Sequence, residues 1–163
     1  MKIRLATRDD LNAVVSLQQK SPGAASWRLS DYELLFEDPG GKILVAEVSP
    51  SVPPRVVGFA AFHRLLDEVE LRNMAVDPDY RRQGIGRSLL LAGRDRMMAA
   101  GVRRVYLEVR ASNNAAQALY ASLGFAVGYT RKSYYQDPPE DALVLELEFP
   151  STGNDDPGIQ ERI

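Results

Sequence analysis

Apolar and polar positions divide the chain into alternating strand-like and helix-like stretches. Lys2 to Ala6 alternates with the period of a short strand. Thr7 stands three residues before Asp10, a capping-box spacing, and Leu11, Val14, Val15 and Gln18 then line one side of a helix. Ser30 and Glu33 repeat that spacing ahead of Leu34, Leu35 and Phe36, and Pro39-Gly40-Gly41 ends this second helix. Ser21 to Leu29, between the two, reads as a loop holding the single tryptophan, Trp27. Strands are expected at Ile43–Val48, Arg55–Arg64 and Glu68–Val76, the first two joined through a turn at Pro50, Pro53 and Pro54. After Gly84-Ile85-Gly86 a long helix runs to Ala100, with Ile85, Leu89, Ala92, Gly93, Met97 and Ala100 at helical spacing and Gly101 as its cap. Val102–Arg110 is a strand, Ala115–Leu123 a helix closed by Gly124, and Phe125–Tyr135 and Leu143–Phe149 are two further strands. This order implies an α/β sandwich, a sheet of six or seven strands with helices on both faces.

The length, 163 residues, fits one domain over residues 1–150. Ser151 to Ile163, rich in Gly, Asn, Asp and Pro, reads as a disordered tail. With no cysteine there is no disulfide framework, thiolate metal site or cysteine nucleophile, and the only histidine, His63, reads as a strand-end residue. No metal is expected. The N-terminus lacks an apolar leader and no run reaches membrane-spanning length, so a soluble cytoplasmic protein without a membrane partner is expected. Twenty cations against 22 acids give no ground for a direct nucleic-acid partner. Arginine nevertheless far outnumbers lysine, and its fixed fork of donors suits phosphate.

Those arginines concentrate around one stretch. Asn73-Met74-Ala75-Val76-Asp77-Pro78 leads through Arg81-Arg82-Gln83-Gly84-Ile85-Gly86-Arg87 directly onto the long helix. Backbone N–H groups from Arg82 to Arg87 can converge there on a phosphate, and the helix terminus adds a favourable field of about 0.3–1 kcal/mol when exposed. The Lys-Ser/Thr pair of a Walker loop is missing, and the glycine spacing does not match a dinucleotide fingerprint. Between positions 81 and 110 eight arginines face only Asp95 and Glu108, an excess of six positive charges that a polyphosphate ligand would favour. A tight turn with packing glycines and a solvated helix face is the plain alternative.

The motif Arg81-x-x-Gly84-x-Gly86 after Asn73-Met74-Ala75-Val76 resembles the acetyl-coenzyme A motif of the GCN5-related N-acetyltransferases. Three later blocks narrow the likeness: Leu107-Glu108-Val109-Arg110-Ala111-Ser112-Asn113, Ala118-Leu119-Tyr120-x-x-Leu123-Gly124-Phe125 and Arg131-x-x-Tyr134-Tyr135. Together they are similar to the ribosomal-protein-alanine (RimI-like) group, over about residues 3 to 149. The resemblance implies a mixed, mostly antiparallel sheet whose fourth and fifth strands splay around the pantetheine arm. It implies that backbone groups near Met74, Ala75 and Val76 pair with the pantetheine amides. The turn of Arg81, Arg82, Gln83, Gly84, Ile85, Gly86 and Arg87 would hold the pyrophosphate of acetyl-CoA, with Asn113 and Tyr120 touching the cofactor further along.

The implied reaction moves an acetyl group from a thioester to an amine. It needs a base for the ammonium and an acid for the departing thiolate. Glu108 alternates to the face opposite Leu107 and Val109, alongside Tyr106 and Arg110, and the resemblance makes it the base. An ion pair with Arg110, or with an arginine on the side of the Glu68–Val76 strand, is the structural alternative. The resemblance makes Tyr120 the acid, although its spacing from Leu119 and Leu123 also suits a core aromatic. Glu68 and Glu70 share a strand face and could hold or relay the ammonium proton. Tyr134 and Tyr135 lie where the resemblance places a peptide N-terminus, and strand alternation would aim only one of them at it. The implied acceptor is the N-terminal α-amine of a protein, foremost a small-subunit ribosomal protein. The rivals are a small amine or lysine side chain as acceptor, and an acyl-CoA-binding module without catalysis. Ser21 to Leu29 departs from the family's bulkier aromatic-proline segment, which bears on peptide preference.

Overall fold

Strand-like stretches in seven places and helical periodicity in four others produce a seven-stranded sheet sandwiched by helices. The computed structural model describes residues 1–49 and 52–150; Pro50 of the expected turn and the expected tail, 151–163, lie outside the described residues. The strands are β1 (Lys2–Leu5), β2 (Gly41–Val48), β3 (Arg55–Leu65), β4 (Glu68–Val76), β5 (Arg104–Arg110), β6 (Ala126–Gln136) and β7 (Pro139–Glu148). The helices are α1 (Leu11–Gln19), α2 (Leu29–Glu37), α3 (Ile85–Ala99) and α4 (Asn114–Ser122). The sheet order is β1-β2-β3-β4-β5-β7-β6. Every neighbouring pair is antiparallel except β4 and β5, which the α3 crossover makes parallel.

Two cores hold the helices on. On one face Leu11, Val14, Leu17, Tyr32 and Leu35 of α1 and α2 bury against Ile43, Val45, Phe59, Ala61 and Ala75. On the other, Ile85, Leu89, Leu90, Met97 and Tyr120 of α3 and α4 bury against Leu44, Ala60, Phe62, Leu71, Leu107 and Val109. Gly93 marks the closest approach of α3 to the sheet, because a Cβ there would lie 2.8 Å from the Phe62 ring.

Helix ends follow local chemistry, with one shift from expectation. Asn113 caps α4, its side-chain oxygen accepting the Ala116 N–H at 3.1 Å. Gly101 and Gly124 adopt positive φ of 76° and 94° just past α3 and α4. The bonds Val102 N–H to Met97 O (3.0 Å) and Phe125 N–H to Tyr120 O (3.1 Å) close both ends in Schellman fashion. The start of α2 is corrected: Asp31, not Glu33, reaches back, accepting the Arg28 N–H at 2.8 Å, so the helix begins before Ser30. Ser30 stands inside the first turn, where its hydroxyl is not needed as a cap.

An extra residue in β4 has the largest effect. Ala61 pairs with Asn73 and Phe62 with Leu71, which leaves Arg72 unopposed as a β-bulge. Val69 and Leu71 face the α3 core before the bulge, and Met74 and Val76 face it after. Unbroken alternation would have put Met74 and Val76 on the face of Glu68 and Glu70.

An ion-paired node fastens β1, β2 and the start of α1. Arg4 contacts Asp10 and Glu47, each at 2.7 Å, and Asp10 also accepts the Thr7 N–H at 2.7 Å. The Arg4 guanidinium holds the Asp10 carboxyl below the usual carboxylate range. Its folded-state affinity for protons is therefore lower than in the unfolded chain, so its contribution is complete above the ordinary aspartate range and is lost as pH falls through the depressed value. Asp10→Asn should flatten the acid limb of stability measured by urea unfolding between pH 3 and 7; an unchanged limb would remove Asp10 from that account.

Candidate active site

Parallel pairing of β4 with β5 runs only from Glu68–Arg104 to Leu71–Leu107. Both strands continue, β4 to Val76 and β5 to Arg110, without pairing to each other. The sheet is thus open between them from the Arg72 bulge onward. Asp77 donates its N–H to Val57 O of β3 at 2.8 Å, so by antiparallel alternation Val76 and Met74 turn their peptide groups to the open side. Their exposed polar groups are met by short-range side chains: Asn73 Oδ1 accepts the Met74 N–H at 3.0 Å, and Arg81 Nε donates to Val76 O at 3.3 Å. The Ala75 side chain packs into the α1–α2 core instead.

The glycine turn closes one end of this opening. A short 3₁₀ turn over Pro78–Tyr80 is capped by Asp77, whose carboxylate accepts the Asp79 N–H at 3.1 Å. Arg82 and Gly84 then take positive φ of 59° and 78° before α3 begins at Ile85. A Cβ on Gly84 would have no atom within 4 Å, so this residue presents bare backbone to open space. Ser88 is the first residue whose N–H enters the helical ladder, bonding Gly84 O at 2.9 Å. Among the described residues the N–H groups of Arg82, Gln83, Gly84, Ile85, Gly86 and Arg87 have no protein acceptor. Such a cradle at a helix N-terminus, flanked by the exposed side chains of Arg81, Arg82 and Arg87, fits a pyrophosphate. Arg87 also bonds Ser122 Oγ of α4 at 2.9 Å, and Gly86 lets α3 approach Leu119 and Met74.

At the other side of the opening, Arg104, Tyr106, Glu108 and Arg110 of β5 share the half-buried face. Glu68 pairs with Arg104 at 2.6 Å, and it and Glu70 both lie within electrostatic reach of Tyr106. Glu70 lies opposite Tyr106 and close enough to Glu108 for the two charges to interact. Burial first, and the Glu108 charge second among the raising influences, push the Glu70 carboxyl above its ordinary range. Arg72 approaches Glu70 at 3.4 Å. The ion pair of Glu108 is not with Arg110 or a β4 arginine: Arg131 of β6 reaches it at 2.9 Å. Sequence separation hid that partner, since nothing local marks Arg131 as facing β5.

Tyr134 and Tyr135 depart from the alternation expected of neighbours in a strand. Between Arg131 and Tyr135 β6 carries more residues than β7 opposes, and Ser133 has φ of 49°. The two rings consequently stand edge to face, 5.2 Å apart, rather than on opposite faces. The neighbouring Glu108 carboxylate lifts the Tyr134 hydroxyl to about 12. Tyr135 packs under the Arg110 guanidinium, 4.2 Å from its ring centre, and is raised by burial and by Glu108. Tyr120 is buried on α4, packed edge to face on Phe125 at 5.7 Å. Burial and, secondarily, Tyr135 push its hydroxyl upward. Tyr135 thus lies within electrostatic reach of both Tyr120 and Glu108. Asn113 sits at the α4 N-terminus, its amide nitrogen 3.2 Å from where a Cβ of Gly23 would be.

The acetyltransferase (GNAT) family model matches residues 11–125. The chain belongs to the GNAT family. GNAT acetyltransferases use acetyl-CoA. Over 95 residues the chain is 50% identical to the ribosomal protein bS18-alanine N-acetyltransferase of Escherichia coli K12, which covers 57% of this chain and 64% of that relative, just under two thirds of its length. The Salmonella typhimurium protein of the same name is 37% identical over 147 residues, 89% of this chain and 95% of its own. The crystal structure of the ribosomal-protein-S18-alanine N-acetyltransferase from Escherichia coli superposes with a TM-score of 0.83 at 35% identity, covering 94% and 97% of the two chains. The mostly antiparallel α/β sandwich read from the sequence is therefore that of the GNAT fold, with seven strands. No described helix is long and apolar enough to cross a membrane.

Two measurements probe this geometry. Gly84→Ala strains a left-handed position by about 1–2 kcal/mol and sets a methyl in front of the cradle, so coenzyme A affinity by calorimetry should fall while helix content stays. Unchanged affinity would place the phosphate elsewhere. In an ultraviolet pH titration, Glu108→Gln should bring the Tyr134 phenol down from about 12 toward the ordinary tyrosine range; an unmoved titration would break the Tyr134–Glu108 contact.

Proposed function

We propose that the chain transfers the acetyl group of acetyl-CoA to the N-terminal α-amine of a protein, a small-subunit ribosomal protein being the foremost acceptor. The observation that carries this reading is the arrangement of Glu108, Tyr135 and Tyr120 beside an opening in the sheet whose other end is the glycine turn. The relatives' names support the acceptor: those of Escherichia coli and Salmonella typhimurium are called bS18-alanine N-acetyltransferases. Exposure supports it too, since Tyr134 is 46% exposed on the edge strand β6, where an extended peptide can approach. That openness favours a peptide over an enclosed small amine.

Each residue then has a task. Met74 and Val76 offer an amide edge for the pantetheine arm, and the Arg82–Arg87 N–H groups take the pyrophosphate. Asn113, at the α4 cap, borders the arm beyond it. Acetyl-CoA supplies the activated acyl group. Glu108 accepts the proton of the acceptor ammonium, directly or through water, and Arg131 must yield its place beside the carboxylate to that cation. Glu70, raised by burial, is suited to pass the proton onward. Tyr134 and Tyr135 flank the incoming terminus. A C–N bond forms and a C–S bond breaks; one ammonium proton passes to Glu108, and the second leaves the nitrogen as the amide forms, making good the proton that Tyr120 gives to the thiolate, so one proton is released overall. The Tyr120 hydroxyl is held above its ordinary range and so remains a donor at neutral pH.

Glu108→Gln and Tyr120→Phe should each lower kcat on an N-terminal peptide by roughly 10²–10⁴-fold with circular dichroism unchanged. Turnover within twofold of the parent at all pH values would overturn the assignments. Transfer to polyamines or internal lysines in preference to N-terminal peptides would replace the acceptor.

A further inference from the structure

The loop between α1 and α2, residues 20–28, crosses the open side of β4 and is tied down by one buried amide. Asn73 is 6% exposed, yet every polar atom of its side chain is used. Its Oδ1 accepts the Ala25 N–H at 3.1 Å and the Met74 N–H at 3.0 Å. Its Nδ2 lies 3.2 Å from Ala25 O, 2.9 Å from Gln18 Oε1 and 2.7 Å from the Tyr32 hydroxyl. Gln18 in turn grips Trp27 by both backbone groups, donating to its carbonyl at 2.7 Å and accepting its N–H at 3.1 Å. Tyr32 donates to Gln18 and stacks at 5.1 Å on Trp27.

The network reads in one orientation only. Two N–H donors fix Asn73 Oδ1 as the acceptor, and the Trp27 carbonyl fixes Gln18 Nε2 as the donor. Buried polar groups so connected specify one arrangement, because any other leaves several of them unpaired. The loop segment Ser21-Pro22-Gly23-Ala24-Ala25-Ser26 has small side chains and one proline, and only the Asn73 amide ties it to β4 through a side chain from that strand. Its other ties are the bonds Ser21 N–H to Gln18 O and Ala24 N–H to Ser21 O, both 3.0 Å, the packing of Ala24 on the α1–α2 core, and Arg81 to Ser21 Oγ at 3.3 Å.

We infer that Asn73 is a positioning residue that sets the α1–α2 loop as a fixed wall on the acceptor side of the opening. The placement supports this role over simple packing. Asn73 joins Ala25 of the loop to Met74, whose N–H faces the opening, through a single carboxamide oxygen. Beyond the loop, Trp27 lies under Arg72 at 5.4 Å, Arg72 reaches Glu70, and Glu70 interacts with Glu108. The wall therefore ends against the acidic site. Losing the clamp loosens the surface an acceptor residue meets, while the glycine turn, fixed by Asp77 and α3, stays as it is.

This inference rests on the acyl-transfer reading, and its test separates the two. Asn73→Ala should raise the KM for an N-terminal peptide about tenfold, the loss of roughly one well-placed hydrogen bond, with the KM for acetyl-CoA within about twofold. Trp27, the single tryptophan, reports on the loop without any turnover: its emission should shift to longer wavelength and acrylamide quenching should rise. Tyr32→Phe keeps the ring and removes one partner, and should move both readouts in the same direction by less; it carries the test if Asn73→Ala does not fold. Equal rises in the two KM values, or Trp27 fluorescence like the parent's in both variants, would overturn the clamp. A parent protein inactive on every peptide would sink the acyl-transfer reading alone, and the fluorescence would still decide whether Asn73 holds the loop.

Discussion

Loss of pairing between β4 and β5 after Leu71–Leu107 is the constraint from which the site follows. Interior sheet backbone normally finds its partners in the next strand, and leaving it unpaired and buried is costly. Here the separation begins at the Arg72 bulge, which adds local bend and twist to β4. The same extra residue reverses which side chains face which core. It turns Asn73 toward α1 and α2 and Met74 toward α3, so one insertion both opens the sheet and aims the residues along its edge.

Charge within the site is balanced by ion pairs, two of them between elements. Glu68 is neutralised on β5 by Arg104, Glu70 on its own strand by Arg72, and Glu108 from β6 by Arg131. Glu70 and Glu108 also interact with each other. Two carboxylates brought together in a half-buried place hold protons differently from isolated ones, and the guanidiniums decide which stays ionised. On the proposed reading, a positively charged acceptor would enter that balance as a competitor of Arg131 for Glu108, not as its first cation.

Much of the architecture was legible because it rests on local pattern. The bounds of β4 came from alternation ending at Asp77-Pro78, and those of α3 from glycine punctuation and helical spacing. The glycine turn and the strand face of Glu108 were equally local. What escaped reading depends on a residue count in a partner strand or on distant contact. An arginine in a strand looks the same whether it is paired or bulged, so Arg72 gave no sign. The irregularity before Tyr134 and Tyr135 is likewise set by β7, and Arg131 meets Glu108 only through the sheet order. Asn73 was visible as part of a motif, but its partners Gln18, Ala25 and Tyr32 are separated from it by more than forty residues.

The edge of Met74 and Val76 that no strand pairs has a thermodynamic side. Any extended molecule with amides that lies along it acts as a surrogate strand, adding ladder bonds that the polypeptide itself does not make. Ligand of that kind binds the folded chain and not the unfolded one, so its free concentration becomes a term in the folding equilibrium. On the proposed reading that ligand is the acyl donor, and the folded fraction would rise and fall with its supply.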